Sequence, residues 1–371
     1  MTPAARTRQW MFDHALPLWA EEGVDHEHGG FAERLTPDGR FDPIDLKRLR
    51  GQARQIYAFS HAATLGFEPG AALALQGLEF VERHAALAGG GWARALGRDG
   101  RVLDTALDLY DQACMLLALA WLKQATGETA AIRLAERGFE AVKHRLGRAE
   151  GYRALEAGGN LGLQNPHMHW LEAMLALHAA TGDKLWADEA RAMLRLFRER
   201  LFDPVTGALA ERFDAAWARD PTAALEPGHH FEWVWLLTTA DRLLGTDHFG
   251  QIRGLFVFAA ERGLSPATGL VWDEIGADGA VRSASHRLWP QSERLKAYVA
   301  VGERAGNLDQ PAIGRVVDGL FDRFLDPAPS GGWRDRLDVH GDAHDAFMPA
   351  SSLYHLFSGF SELWRVTGEV G

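Results

Sequence analysis

Two segments of the chain open a helical apolar run with a histidine followed one turn later by a glutamate. Asn165-Pro-His-Met-His-Trp-Leu-Glu-Ala173 holds His169 and Glu172, and Glu226-Pro-Gly-His-His-Phe-Glu-Trp233 holds His229 and Glu232. Residues three apart share a helix face. A glutamate in that place can orient an imidazole and raise its pKa, as proton transfer near neutral pH requires. Glu232 is therefore expected to orient His229, and Glu172 to orient His169. A third histidine, His355, sits inside the apolar run ASSLYHLFSGF; Arg54 follows Arg50 by one turn, and Trp289 and Glu293 are four apart in RLWPQSE. His167 and His230, beside the motif positions, point away from the shared faces, and the other histidines read as surface or packing residues.

Two rival chemistries use the same residues. His167-x-His169 and His229-His230-x-Glu232 contain good Zn²⁺ or Mn²⁺ ligands. Neither has the spacing that sets two imidazoles on one helical face, and no cysteine supplements them, so no metal is expected. Glycoside hydrolysis needs two carboxyl groups across a sugar, for which Glu172, Glu232, Glu293 and Asp111 are available, but it leaves the histidines surplus. A sugar is still indicated by Trp92, Trp170, Trp233, Trp235, Trp289, Tyr110 and Tyr354, amphipathic aromatics suited to covering a sugar ring.

The elements that carry these residues repeat. Apolar residues recur at helical spacing over 6–20, 49–65, 72–87, 106–125, 129–145, 168–180, 184–201, 231–244, 250–262, 290–305, 312–325 and 351–366. Between them, a glycine followed by an aromatic or apolar residue recurs at Gly30, Gly91, Gly151, Gly207, Gly269 and Gly332, at intervals of 61, 60, 56, 62 and 63 residues. Helical hairpins of this length bury their apolar faces only by stacking on neighbours. Both end units carry the same turn and neither looks like a polar cap, so closure into a ring is expected. The expected fold is an all-α (α/α)6 barrel formed by one domain over residues 1–371. Segments such as GGGWARALGRDGRVLD are expected to make short β-hairpins at the cavity mouth.

Composition narrows the class. The chain has 371 residues and a net charge of -11, with no long basic run, which argues against a nucleic-acid partner. No uncharged apolar stretch is long enough to span a bilayer, and the lone Cys114 fits a reducing compartment, so a cytoplasmic protein is expected. A non-catalytic helical scaffold would leave the His–Glu pairs without a purpose.

The motifs resemble those of the N-acylglucosamine 2-epimerase superfamily, and the match runs from about residue 5 to 368. They are Gln52-x-Arg54, Leu109-Tyr-Asp-Gln-Ala113, Asn165-x-x-Met-His169-x-x-Glu-Ala173, Pro227-Gly-His-x-x-Glu-Trp233, Trp289-x-x-x-Glu293 and Tyr354-His355. The resemblance implies the same barrel. It also implies His229 and His355 as the acid/base pair, His169 assisting ring opening, and Arg54 holding the substrate near the reacting carbons. Tyr110, Asn165 and Trp289 are implied to line the sugar pocket, with Glu172, Glu232 and Glu293 among the substrate-side carboxylates. RLWPQSERLKA and MPASSLYHLF resemble the mannose isomerase branch. The implied reaction is cofactor-free interconversion of D-mannose and D-fructose through a cis-enediol. The alternatives are 2-epimerisation of mannose or an N-acylhexosamine, or isomerisation of a sulfoquinovose-type sugar. A phosphosugar would need a basic cluster, for which only Arg48, Arg50 and Arg54 are apparent. A free monosaccharide is the expected substrate, and a monomer or homodimer the expected assembly.

Overall fold

The computed structural model describes residues 1–156, 162–344 and 346–369. Among them are twelve helices, counting as one the first, which runs from α1 (Pro3–Trp10) through a π turn at Met11–Ala15 into α2 (Leu16–Glu21). Six form an inner ring: α3 (Leu49–Thr64), α5 (Leu109–Thr126), α7 (Gln164–Thr181), α9 (Pro227–Leu244), α11 (Leu288–Ala305) and α13 (Ser351–Thr367). Each packs against the next, and α13 packs back on α3, so the ring is closed. The outer layer is the first helix with α4 (Gly70–His84), α6 (Thr129–Leu146), α8 (Lys184–Leu196), α10 (Phe249–Arg262) and α12 (Gln310–Leu320). This is the (α/α)6 barrel that the repeat led us to expect.

The two layers follow from the side chains. Inner α5 is buried around its circumference from Leu109 to Leu122, as a helix hydrophobic on all sides must be. Outer α8 buries one stripe, including Trp186, Ala190, Met193 and Leu194. The ring closes through both chain ends, where α13 packs on α1 and Trp364 Nε1 donates to Thr7 Oγ1 at 2.9 Å.

Five of the six repeated turns are clamped by a side chain from the following inner helix, and in the sixth the Trp333 N–H donates to Met348 Sδ. The Gln52 side chain bonds both backbone groups of Phe31, and Gln112 does the same to Trp92 and Gln291 to Val271. In two repeats the clamp is a histidine, with His167 Nε2 accepting from Tyr152 N and His230 Nε2 from Leu209 N. The approach is close enough to require glycine. A Cβ on Gly30, whose φ is +70°, would stand 2.7 Å from Gln52 Oε1, and one on Gly91 2.9 Å from Gln112 Oε1.

Short antiparallel strands at the N-terminal ends of the inner helices set the spacing between repeats. The RDG hairpin pairs β3 (Ala95–Leu96) with β4 (Val102–Asp104), and β3 also pairs with β2 (Lys47–Arg48) before α3. A second hairpin joins β7 (Glu274–Ile275) to β8 (Val281–Ser283). The other pairs bridge separate repeats: β1 (Arg34–Leu35) with β11 (Met348–Pro349), β5 (Gly162–Leu163) with β6 (Arg212–Phe213), and β9 (His286–Arg287) with β10 (Arg336–Leu337). The expected hairpins are thus present, and cross-repeat pairing accompanies them.

Candidate active site

At this end of the barrel the first turns of the inner helices surround a cavity of about 360 Å³. Arg54, Tyr110, Asn165, His169, His229, Glu232, Trp289 and His355 all line it, together with Glu226, Arg287, Asp335 and Arg336. A second recess of about 410 Å³ shares Tyr110, Asn165, Glu226 and His229 and carries Arg50, Arg94 and Glu211. Six helix N-termini converge here, and their free N–H ends favour negative charge.

All three candidate histidines have the same arrangement, with Nδ1 held by a carboxylate. His169 Nδ1 is 2.9 Å from Glu172 Oε2, His229 Nδ1 is 2.9 Å from Glu211 Oε1, and His355 Nδ1 is 2.7 Å from Glu293 Oε1. A carboxylate in that place accepts an Nδ1–H and leaves Nε2 for other chemistry. The rings of His229 and His355 stand 5.0 Å and 5.4 Å from the Trp289 ring, so both flank one aromatic surface. His169 stacks on Tyr110 with ring centres 4.6 Å apart. Arg54, 5 % exposed, donates from Nη2 to the Tyr110 hydroxyl at 2.6 Å and lies over the Tyr354 ring.

Their surroundings give His229 and His355 opposite proton affinities. Burial works against a charge on His229, but the carboxylates of Glu211, Glu226 and Glu232 outweigh it and raise its pKa to about 9. For His355, burial acts together with the positive charges of Arg54 and Lys296 and with His169 and His229, holding the ring neutral well below 6.5. The site therefore holds a proton on one side of Trp289 and a neutral imidazole on the other. Arg54 stays charged, its guanidinium pKa raised despite burial, beside the Tyr110 and Tyr354 side chains and the Glu232 carboxylate.

Three expectations need correcting. Glu232 does not orient His229; that contact belongs to Glu211, and Glu232 Oε1 lies instead 3.9 Å from His169 Nε2. Both Glu232 oxygens are buried at the cavity floor without a hydrogen-bond partner among the described residues, which suits them to bind hydroxyl groups. Glu293 and Glu172 are not in the cavity wall. They sit behind His355 and His169, where Glu172 also accepts from the Tyr354 hydroxyl at 2.5 Å and Glu293 forms an ion pair with Lys296. One helical turn is about 5.4 Å of axial rise, so a glutamate three or four residues after a rim residue lies below the rim. The basic residues also differ from expectation: Arg48 pairs with Glu33 away from the cavity, whereas Arg287 and Arg336 line it.

His167 and His230 are the turn clamps described above. Burial lowers both to a pKa of about 4 and keeps them neutral. Glu211 is the residue that helix periodicity missed. It precedes β6 and also accepts from the Glu226 N–H at the start of α9 and from Gln164 Nε2. Glu33 and Asp273 likewise follow their repeat glycines and accept from the Arg48 and Arg287 N–H groups at the starts of α3 and α11. An acid three or four places after the turn glycine was the available signal.

Among the described residues, three groups bring histidine and carboxylate atoms within 4.8 Å of one another: His169–Glu172–Glu232, Glu211–Glu226–His229 and Glu232–Glu293–His355. In each, one histidine nitrogen already bonds one of the carboxylates, and Lys296 contacts the third group.

The chain is similar to known proteins over most of its length. A family model described as N-acylglucosamine 2-epimerase matches residues 29–359. A Rhizobium meliloti (strain 1021) protein named mannose-6-phosphate isomerase is 35% identical, with 95% of each chain covered. A Thermobifida fusca protein named D-mannose isomerase is 28% identical, covering 96% of this chain and 98% of its own. The solved structure of the cellobiose 2-epimerase from Spirochaeta thermophila DSM 6192 superposes with a TM-score of 0.88 at 24% identity, covering 99% of this chain and 97% of that one.

Proposed function

The chain belongs to the N-acylglucosamine 2-epimerase family and is a sugar isomerase or epimerase, and from that premise we propose that it interconverts D-mannose and D-fructose without a cofactor. The observation that carries this reading is the pair of histidines flanking Trp289, one protonated and one neutral.

The pyranose first opens, with His169 and Glu232 placed to move the ring-hydroxyl protons. The open chain carries an aldehyde at C1, which acidifies the proton on C2. His355 Nε2 takes that proton, the C–H electron pair becomes the C1=C2 bond, and the C1 oxygen receives a proton from His229. Arg54 and the helix N-termini stabilise the negative charge that develops on oxygen, usually a larger contribution than proton transfer itself. Return of the proton to C1, with loss of the O2 proton, gives the ketose. Return to the opposite face of C2 gives the epimer, so isomerase and epimerase differ only in where the acid stands.

Charge balance in the cavity favours an uncharged sugar. Arg54, Arg287 and Arg336 face Glu226, Glu232 and Asp335, and Arg287 is already paired with Glu226 and Asp273. Most of the guanidinium charge is thus already met by carboxylates, which favours an uncharged sugar over a phosphate dianion. Assays with D-mannose, mannose 6-phosphate, N-acetylglucosamine and cellobiose, with products identified by NMR, test the proposal. Fructose from free mannose supports it, and turnover confined to one of the other three refutes it.

A further inference from the structure

Lys296 is a fully buried cation with no contact to the sugar cavity. It lies on α11 one turn after Glu293, with Nζ 2.7 Å from Glu293 Oε2 and 4.0 Å from the Trp235 ring centre. Burying an ammonium ion is costly unless opposite charge repays it, so its presence calls for a reason. The groups around it come from every neighbouring inner helix. Glu172 from α7 and Glu232 from α9 act on Lys296 and on Glu293, the Tyr354 ring of α13 lies 6.0 Å from the Lys296 ammonium, and Arg54 from α3, His169 from α7 and His229 from α9 act on His355 beside them. Three carboxylates thus meet two fixed cations, and of those two only Lys296 touches Glu293.

We propose that Lys296 is a positioning residue for proton transfer. By neutralising the far oxygen of Glu293, it lets the Glu293–His355 pair hold a single proton, between Oε1 and Nδ1, so that Nε2 of His355 meets the sugar as a bare base. This rests on the reading of His355 as the base.

The proton count closes. Before reaction the pair and Lys296 together carry no net charge. The C2 proton then moves to Nε2, the C–H electron pair enters the C1=C2 bond, and the three groups carry one positive charge. Without Lys296 the pair starts with an uncompensated buried negative charge, which favours keeping a second proton. Burial and the Glu232 carboxylate already push the Glu293 carboxyl upward, and Lys296 opposes them. Loss of that opposition raises the proton affinity of the pair whichever partner takes the proton.

Two measurements test this. In Lys296→Met the charge is lost and most of the aliphatic bulk kept, while Lys296→Arg keeps the charge. The kcat/KM of the methionine variant is expected to fall at least about tenfold near neutral pH and to recover as pH rises, its acid limb having moved upward. KM should change little, and the arginine variant should keep the wild-type acid limb. A folded methionine variant with an unmoved acid limb overturns the proposal.

The second measurement needs no substrate. In the ¹⁵N NMR spectrum of the free wild-type enzyme, with His355 assigned by difference from His355→Asn, a protonated Nδ1 and bare Nε2 are expected near neutral pH. The opposite tautomer overturns the proposal even where the methionine variant fails to fold or where a different sugar is turned over.

Discussion

The imidazole of His229 is bonded at 2.9 Å to Glu211, a residue outside any helix, and not to the glutamate one turn along its own helix. The same carboxylate accepts from the N–H of Glu226 and from Gln164 Nε2, so it joins two inner helices through the β5–β6 bridge. His229, the proposed acid, is therefore held by a part of the chain that helix periodicity does not reach.

Replacing Glu211 with glutamine removes the charge that contributes most to raising the pKa of His229. That pKa then falls, and the basic limb of the kcat/KM profile moves to lower pH. A loss of about 10–100-fold in kcat is expected near neutral pH, in line with other partners that orient a reacting group. An unshifted basic limb would show that the contact does not set the acid.

The wild-type profile itself follows from the two environments. Activity needs His355 unprotonated, which holds down to well below 6.5, and His229 protonated, which holds up to about 9. A broad plateau between those limits is expected in kcat/KM, with the limbs belonging to the coupled site as a whole. A narrow bell centred near 6.5 would contradict the assignment.

Metal independence is equally testable. Enzyme dialysed against EDTA is expected to keep full activity, because the histidine–carboxylate pairs already complete each other. Activity lost to EDTA and restored by Zn²⁺ or Mn²⁺ would reassign one of the three clusters.

A stability prediction concerns the first repeat. Lys47, 1% exposed, places Nζ 3.0 Å from Asp25 Oδ2, and Arg98 bonds the same carboxylate with two nitrogens. Burial opposes the charge on Asp25, but the bonds from Arg98 and Lys47 outweigh it and hold its pKa at about 2. A pKa below the unfolded value of 3.8 means that the stabilisation is complete above that value and is lost as pH falls towards 2. Asp25→Asn leaves the buried lysine without its counter-charge and is expected to cost about 3 kcal/mol in denaturant unfolding at neutral pH. A change below about 1 kcal/mol would show the pair to be energetically idle.

The barrel was legible because its signal is repeated. Six turns at near-constant spacing and apolar periodicity in every block leave few alternatives to a closed ring, and His167 and His230, expected to point away from the shared faces, bond the turns of their repeats. Glu232, Glu172 and Glu293 were found by helical spacing, but spacing reports a face and not a depth. It therefore could not tell that Glu293 lies beneath His355 or that Glu232 points towards His169. Glu211 was hidden for another reason: β5 and β6 are two residues each, too short to show alternation, and a contact spanning 18 residues depends on their pairing. Lys296 reads in sequence as an ordinary charge on an amphipathic helix, and only ring closure buries it.

The central claim is that a proton leaves C2 to an enzyme base and that a cis-enediol forms. Incubating the enzyme with D-mannose in D₂O and following C1 and C2 by NMR tests it most directly. The account predicts fructose carrying solvent deuterium at C1, with exchange and turnover both abolished in folded His355→Ala. Turnover surviving in folded His355→Ala would contradict it, as would label-free fructose whose formation does not depend on His355, as direct hydride transfer would give.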